Sequence, residues 1–254
     1  MSELKNKILN SIFYPRSSQL AKTVNDHTIM IENNICIGIS FYIKNPNNHN
    51  LLFFHGNAEL AQEYKEIGSI FNSYDINLIV ADYRGYGLST GEPTINNLKT
   101  DSLKIFEYVF TYLKDNNFTR NIKVMGRSLG SASAIHIASN VKYKISGCII
   151  ESGFATEYPL FNLLGYDYKS IGFLLSDGFE NLRKIKKYKK PLLVIHAEND
   201  HIVPYAEGEK LFKSSISKEK DLFKVINAHH NNIIMRMNNK YFELILNFIA
   251  NSKQ

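Results

Sequence analysis

Apolar residues along the chain follow two rhythms. Short, nearly unbroken apolar runs occur at Leu51–Phe54, Ile76–Ala81, Ile122–Met125, Ile145–Ile150 and Pro191–His196, with a last one at Leu222–Ile226. Continuous hydrophobicity over so few residues predicts strands buried on both faces, as in a parallel sheet. Elsewhere apolar positions recur every three or four residues. Leu98, Leu103, Phe106, Val109, Phe110 and Leu113 mark a helix from about Ile95 to Lys114. Helices are also expected from about Glu59 to Phe71, over Ser131–Ala138 and over roughly Asn238–Phe248. Strands alternating with helices imply an α/β fold with a mostly parallel sheet and helices on both faces. Ahead of these, Thr28–Ile31 and Ile35–Ile43 read as two strands around the turn pair Asn33-Asn34. Leu4, Ile8, Leu9, Ile12 and Phe13 have helical spacing, and Pro15 stops them. That helix is expected to pack on the domain; contact with a membrane surface is the less favoured alternative.

One connection departs from the short links of this pattern. Gly153–Lys190 carries Phe154, Tyr158, Phe161, Tyr166, Tyr168, Phe173 and Phe179. It follows a strand on the carboxyl side of the sheet, where open α/β folds bind ligands. It reads as a small cap at about 153–190, with Phe154, Tyr158, Phe161 and Phe173 expected to form an apolar substrate site. Its tail, Arg183, Lys184, Lys186, Lys187, Lys189 and Lys190, reads as a solvated helix face, with attraction of an anionic substrate or headgroup as the alternative.

Composition narrows the rest. A chain of 254 residues, 44% hydrophobic and 21% charged, suits one large domain spanning 1–254. No apolar run approaches the ~20 residues of a membrane span. Met1–Lys5 lacks the apolar core of a signal peptide, so a cytoplasmic protein is expected. Cys36 and Cys148 both lie in strand-like runs and are expected to be buried and reduced, and no metal site is expected. The net charge of +6 comes without basic residues interleaved with aromatics on one face, so nucleic acid is not an expected partner.

The chemistry centres on Gly126-Arg127-Ser128-Leu129-Gly130, which lies between the apolar run Ile122–Met125 and the helical stretch from Ser131. This is the strand–turn–helix setting in which G-x-S-x-G exposes a serine on a sharp turn, with a helix N-terminus behind it. The motif occurs a second time at Gly87-Leu88-Ser89-Thr90-Gly91, but there Glu92-Pro93 come next instead of an apolar helix, and Ser89 reads as a loop residue. A dinucleotide fingerprint fails because Ser128 occupies the place of its second glycine. In this architecture an acid follows a later strand and a histidine the last one. Asp200 lies after Pro191–His196, with Glu198 and Glu151 as competing acids; His229 and His230 both lie after Leu222–Ile226. His55-Gly56-Asn57-Ala58 ends an earlier strand and could supply backbone donors to an oxyanion.

From Leu51 to the end, the chain resembles the α/β-hydrolase superfamily, and more narrowly its Bem46-like branch, which includes serine-aminopeptidase-like hydrolases and protein depalmitoylases. The residues that carry this are His55–Ala58, Asp82-Tyr83-Arg84-Gly85-Tyr86-Gly87-Leu88-Ser89-Thr90-Gly91, Gly126–Gly130, the Asp200…Val203-Pro204 loop and the terminal histidine. The resemblance implies an α/β-hydrolase fold and a catalytic triad of Ser128, Asp200 and His230. It selects His230 because the branch reads roughly G-x-G-H-N-D where this chain has Asn227–Asn232. Asn227 and His229 replace its glycines, and Asn232 its acid. It also implies that the amides of Asn57 and Leu129 form the oxyanion hole. The expected reaction is hydrolysis of a small-molecule ester or thioester, with no cofactor. Acyl-protein thioesterase, peptidase and a non-catalytic binding module are the alternatives.

Overall fold

The computed structural model describes residues 3–140, 142–143 and 145–252. In chain order they form α1 (Glu3–Asn10), β1 (Asp26–Glu32), β2 (Ile35–Tyr42), β3 (His49–Phe54), α2 (Lys65–Ser73), β4 (Ile76–Ala81), α3 (Ile95–Asp115), β5 (Ile122–Arg127) and α4 (Gly130–Ala138). Next come β6 (Cys148–Glu151), α5 (Tyr158–Leu163), α6 (Asn181–Ile185), β7 (Leu192–Ala197), α7 (Tyr205–Ser214), β8 (Lys220–Val225), α8 (Ile233–Met237) and α9 (Asn239–Asn251). The strands make one sheet in the order β1-β2-β4-β3-β5-β6-β7-β8. β2 is antiparallel to both its neighbours, and β3 to β8 run parallel.

The unbroken apolar runs became the central strands for the expected reason. Every residue of β4 and β7 is buried, whereas the edge strands β1 and β8 alternate between inward and outward positions. Ile12, Phe13, Ile135 and Phe154 belong to the core on one face of the sheet, and Phe71, Tyr241 and Phe242 to the core on the other. Ile8, Leu9, Ile12 and Phe13 are buried, so the apolar face of α1 packs on the domain as expected; the side chain of Leu4 lies outside the described residues.

Several elements differ from the sequence reading. The helix expected from Glu59 opens as a 3₁₀ turn over Ala61–Tyr64, and α2 starts only at Lys65. Side chains take the first amides there: Asp82 Oδ1 accepts from Ala61 N at 2.9 Å and Glu63 Oε2 from Leu60 N at 3.1 Å. β6 begins at Cys148 instead of Ile145. Helix α7 has no counterpart in the sequence reading, because only Gly208 and Leu211 of its ten residues are buried and no apolar stripe marks it.

The 153–190 segment is a small cap. Glu207 of α7 anchors its start, with Oε2 accepting from the backbone N–H groups of Ala155 (2.8 Å) and Thr156 (2.7 Å). Its basic tail is only partly solvated. Arg183 pairs with Glu180, and Lys190 Nζ donates to the carbonyl of Ile145 at 2.7 Å. Lys184 is buried, and its ammonium has no hydrogen-bond partner among the described residues. Burial pushes its pKa down to about 7.

Stranding a polar group in this way costs about 1–3 kcal/mol, so Lys184→Met should stabilise the fold. At about 2–4 °C per kcal/mol for a domain of this size, Tm should rise by several degrees. The folded-state pKa lies below the ordinary value of 10.5, so wild type loses stability as pH falls from there to about 7. The advantage of the variant should grow over that window and stay level below it. Thermal melts at pH 7 and 10 check this, and an unchanged or lower Tm for the variant would refute it.

Candidate active site

Ser128 occupies the turn between β5 and α4 with φ of 50°, a left-handed conformation that a serine seldom adopts. The flanking glycines make the turn sterically feasible. A Cβ on Gly126 would lie 2.2 Å from the Gly130 carbonyl oxygen, and one on Gly130 would lie 2.0 Å from that of Phe54. Ser128 N–H donates to the Glu151 carbonyl at 2.8 Å, which ties the turn to the end of β6. Ser89, in the second G-x-S-x-G, has no such conformation. Its hydroxyl accepts from Gly38 N–H at 2.9 Å, and helix α3 begins only after an N-cap at Thr94.

Asp200 and His230 meet as the sequence reading expects. His230 Nδ1 lies 2.7 Å from Asp200 Oδ2, and the N–H groups of Ile202 (3.0 Å) and Val203 (2.8 Å) donate to Asp200 Oδ1. Burial works to raise the pKa of Asp200, but the His230 hydrogen bond and charge outweigh it and hold the carboxyl below 3.8. The competing acids are engaged elsewhere. Glu198 accepts from Asn227 N–H at 3.0 Å, and Glu151 accepts from the Tyr241 hydroxyl and pairs with Arg127. His229 is exposed and its ring faces His201. The Ser128 hydroxyl and the His230 ring form no hydrogen bond in this structure; such contacts commonly tighten only around bound substrate.

The departures from the G-x-G-H-N-D pattern have local explanations. Asn227 has φ of 56°, and asparagine is the side chain that best tolerates this region after glycine. His229 sits in a glycine slot without a positive φ. Asn232 Oδ1 accepts from His229 N–H at 2.8 Å, an acceptor role open to an acid or an amide.

Two features were missing from the sequence reading. One is Arg127, the variable residue of the motif. Its guanidinium pairs with Glu59, lies 3.2 Å from Glu151 Oε1, and donates to the His230 carbonyl (2.9 Å) and Asn231 Oδ1 (3.0 Å). Only the charge in an otherwise apolar strand end hints at this. The other is His196, at the end of β7, whose Nε2 lies 2.8 Å from the Val203 carbonyl and 3.5 Å from Asp200 Oδ2. Burial holds its pKa below the ordinary value, so it sits behind the acid as a neutral ring.

A cleft of about 420 Å³, open to solvent, lies over the serine. Ile12, Tyr14, Asn57, Ser128, Leu129, Ile202 and the leucines Leu160, Leu163 and Leu164 of the cap line it. The aromatics expected there are elsewhere. Phe154, Phe161 and Phe173 are buried in the core, Phe154 against Phe179 and Phe161 against Phe173, and Tyr158 stacks on Tyr168 at 3.9 Å between ring centres. The apolar lining of the cleft is thus mostly aliphatic, with Tyr14 as its one aromatic among the described residues. Among the described residues the backbone N–H groups of Asn57 and Leu129 donate to no other group, and both residues border the cleft.

A family profile described as serine aminopeptidase, S33, matches residues 45–164. The chain is 30% identical over 240 residues to the uncharacterized protein R595 of Acanthamoeba polyphaga mimivirus, which covers 87% of this chain and 80% of that protein. It is 30% identical over 203 residues to protein Bem46 of Schizosaccharomyces pombe, covering 79% of this chain and 67% of the relative. Among solved structures, the Pyrococcus furiosus esterase Pf2001 shares the fold with a TM-score of 0.74 at 21% identity, over 93% of this chain and 98% of that one.

Arg127→Ala should be strongly destabilising, because the buried Glu151 and the half-buried Glu59 would remain without their cation. Losing one partner of a buried ion pair costs about 3–5 kcal/mol, or a fall in Tm of roughly 6–20 °C. Adding Glu59→Gln should restore part of the loss. A melting curve that leaves Arg127→Ala within a degree or two of wild type would remove this residue from its place at the centre of the site.

Proposed function

The chain belongs to the Bem46-like branch of the α/β-hydrolase superfamily, and from that premise we propose that it is a serine hydrolase cleaving carboxylic ester or thioester bonds. The observation that carries the proposal is the 2.7 Å contact between His230 Nδ1 and Asp200 Oδ2, beside a serine held at φ of 50°. Ser128 Oγ attacks the acyl carbonyl while His230 takes its proton, and Asp200 holds the imidazole in the right tautomer and stabilises its charged form. The oxyanion that forms is received by the amides of Asn57 and Leu129. Collapse expels the alcohol or thiol, protonated by His230, and water then enters by the same route to free the acid. Esters and thioesters lead over peptides because their leaving groups need less protonation.

A second reading is an acyl-protein thioesterase that takes long chains at a membrane. The exposed leucines Leu163, Leu174 and Leu175 on the cap favour it. A small, solvent-open cleft lined on one side by the leucines of α5 and its C-terminal end favours short to medium chains, and that reading is ranked first.

Ser128→Ala should abolish covalent labelling by a fluorophosphonate and lower kcat by at least roughly 10³-fold, with Ser89→Ala labelling normally. A dead Ser89→Ala enzyme with a live Ser128→Ala one would reverse the assignment. His230→Ala should match the loss at Ser128, and His229→Ala should keep most activity.

Chain length gives the second test. Each buried methylene is worth up to about 0.8 kcal/mol, a factor of about four in kcat/KM while the cleft still covers it. With p-nitrophenyl esters from acetate to palmitate the gain should end at short to medium chains. A steady rise through palmitate, or a large activation by anionic vesicles that salt removes, would favour the thioesterase reading instead.

A further inference from the structure

The segment after α1 runs across the mouth of the site and is bonded to it at several points. Asn57 Nδ2 donates to the Ile12 carbonyl at 2.6 Å, and Tyr14 N–H donates to Asn57 Oδ1 at 2.9 Å. The Tyr86 hydroxyl completes the clamp: it donates to Asn57 Oδ1 at 2.6 Å and lies 2.8 Å from Tyr14 N. Two residues on, Arg16 Nε donates to the Ala58 carbonyl at 2.5 Å, and its guanidinium pairs with Glu63. Gly87 N–H donates to the Arg16 carbonyl at 2.9 Å, and Ser18 N–H to the Gly87 carbonyl at 3.1 Å. Ala58 is left-handed, with φ of 61°, which a residue bearing a Cβ holds only when its surroundings impose it.

We infer that residues 12–16 are a working part of the active site: a strap that aims the Asn57 amide at the oxyanion through the Asn57 side chain, with Tyr86 and Arg16 as positioning residues. The inference rests on the proposed hydrolase reading, in which the Asn57 N–H is one of two oxyanion donors. Asn57 Nδ2 and Oδ1 are both bonded to the strap or to Tyr86, and Oδ1 also accepts from the Ala58 N–H at 3.1 Å, so the side chain serves to fix its own backbone. Tyr86 is fully buried, which makes its hydroxyl a rigid post for the clamp. The same strap contributes Ile12 and Tyr14 to the wall of the cleft. Substrate contact and oxyanion geometry are therefore joined in one short segment.

Such an arrangement predicts a loss confined to the transition state. Removing an oxyanion donor outright costs about 10²–10³-fold in kcat. A donor that is present but poorly aimed should cost less, about 10–100-fold for Asn57→Ala and about tenfold for Tyr86→Phe. KM for a short p-nitrophenyl ester should stay within about twofold. The inhibition constant of an alkyl boronic acid, which forms a tetrahedral anion on the serine, should rise in step with the fall in kcat/KM.

The test is steady-state kinetics and boronate inhibition on full-length wild type, Asn57→Ala and Tyr86→Phe, after checking that each still labels with fluorophosphonate. A clamp that matters only to folding would lower Tm but leave kcat and boronate affinity of the folded variants unchanged, and that result would overturn the inference. A wild-type chain that neither labels nor turns over any ester would defeat the hydrolase reading and this inference with it. Active wild type with two unaffected variants would defeat this inference alone.

Discussion

A largely buried guanidinium ties together the end of the sheet that carries the candidate site. Arg127 ends β5, and its charge is shared by Glu59 from the loop after β3, Glu151 from the end of β6, and the carbonyl of His230 beyond β8. Each of these groups belongs to a loop that carries part of the site. Glu59 also accepts from the Gly56 amide at 2.7 Å, so the ion pair reaches into the oxyanion loop. Burial alone works to lower the arginine pKa, but the two carboxylates more than reverse that and hold the group charged. Burial of Glu151 works the other way and raises its pKa. Desolvation costs make buried ion pairs a poor source of net stability. Their use here is geometric: one planar group with five donors joins the ends of the paired strands β5 and β6 to the loops after β3 and β8.

That fixation is needed because the loops are strained. Of the residues with a Cβ and positive φ among those described, five are asparagine or aspartate, the side chains best able to adopt it. The other four are Ala58, Ser128, Ser152 and Glu180. Ala58, Ser128 and Ser152 come after β3, β5 and β6, at the carboxyl ends of three adjacent strands, and Glu180 lies in the cap. Each such conformation costs of order 1–3 kcal/mol, and it persists because hydrogen bonds on both sides leave no alternative: Ser128 N–H to Glu151, Ser152 N–H to Ile195, and Arg16 to the Ala58 carbonyl. In the proposed mechanism, strain of this kind would hold donors and nucleophile in place before substrate arrives, leaving little reorganisation for the reaction.

Much of this was legible in the sequence where a physical constraint is local. The elbow could be read because its two glycines have contacts that no Cβ could share. It could also be told from the second motif, because an apolar helix adjoins Gly130 whereas Glu92-Pro93 adjoin Gly91. The parallel strands could be read because burial on both faces leaves unbroken apolar runs. Arg127 could not, since its partners lie far away in the chain and a lone arginine after an apolar run has no local signature. Helix α7 escaped because it buries so little that no periodicity marks it. The cap aromatics were misplaced for a related reason. Phe154, Phe161 and Phe173 look alike in sequence whether they face a ligand or the core, and the choice depends on how the cap sits.

The difference between what was legible and what was not separates reaction from substrate. The groups proposed to act on the reacting bond sit at the ends of β3, β5, β7 and β8, where strand geometry and motif spacing constrain them together. Groups that meet the rest of the substrate come from α5, from Ile202 and from the strap of Ile12 and Tyr14. None of these belongs to a motif, and their identity is set only by being apolar and of the right size. Aliphatic side chains that line a cleft can be exchanged with small effects on the fold, whereas Gly126, Gly130 and Arg127 cannot. A fold family can therefore keep its chemistry while its substrates diverge. In this chain the proposed link between the two levels is Asn57, which borders the cleft and whose side chain is bound to the strap of Ile12 and Tyr14.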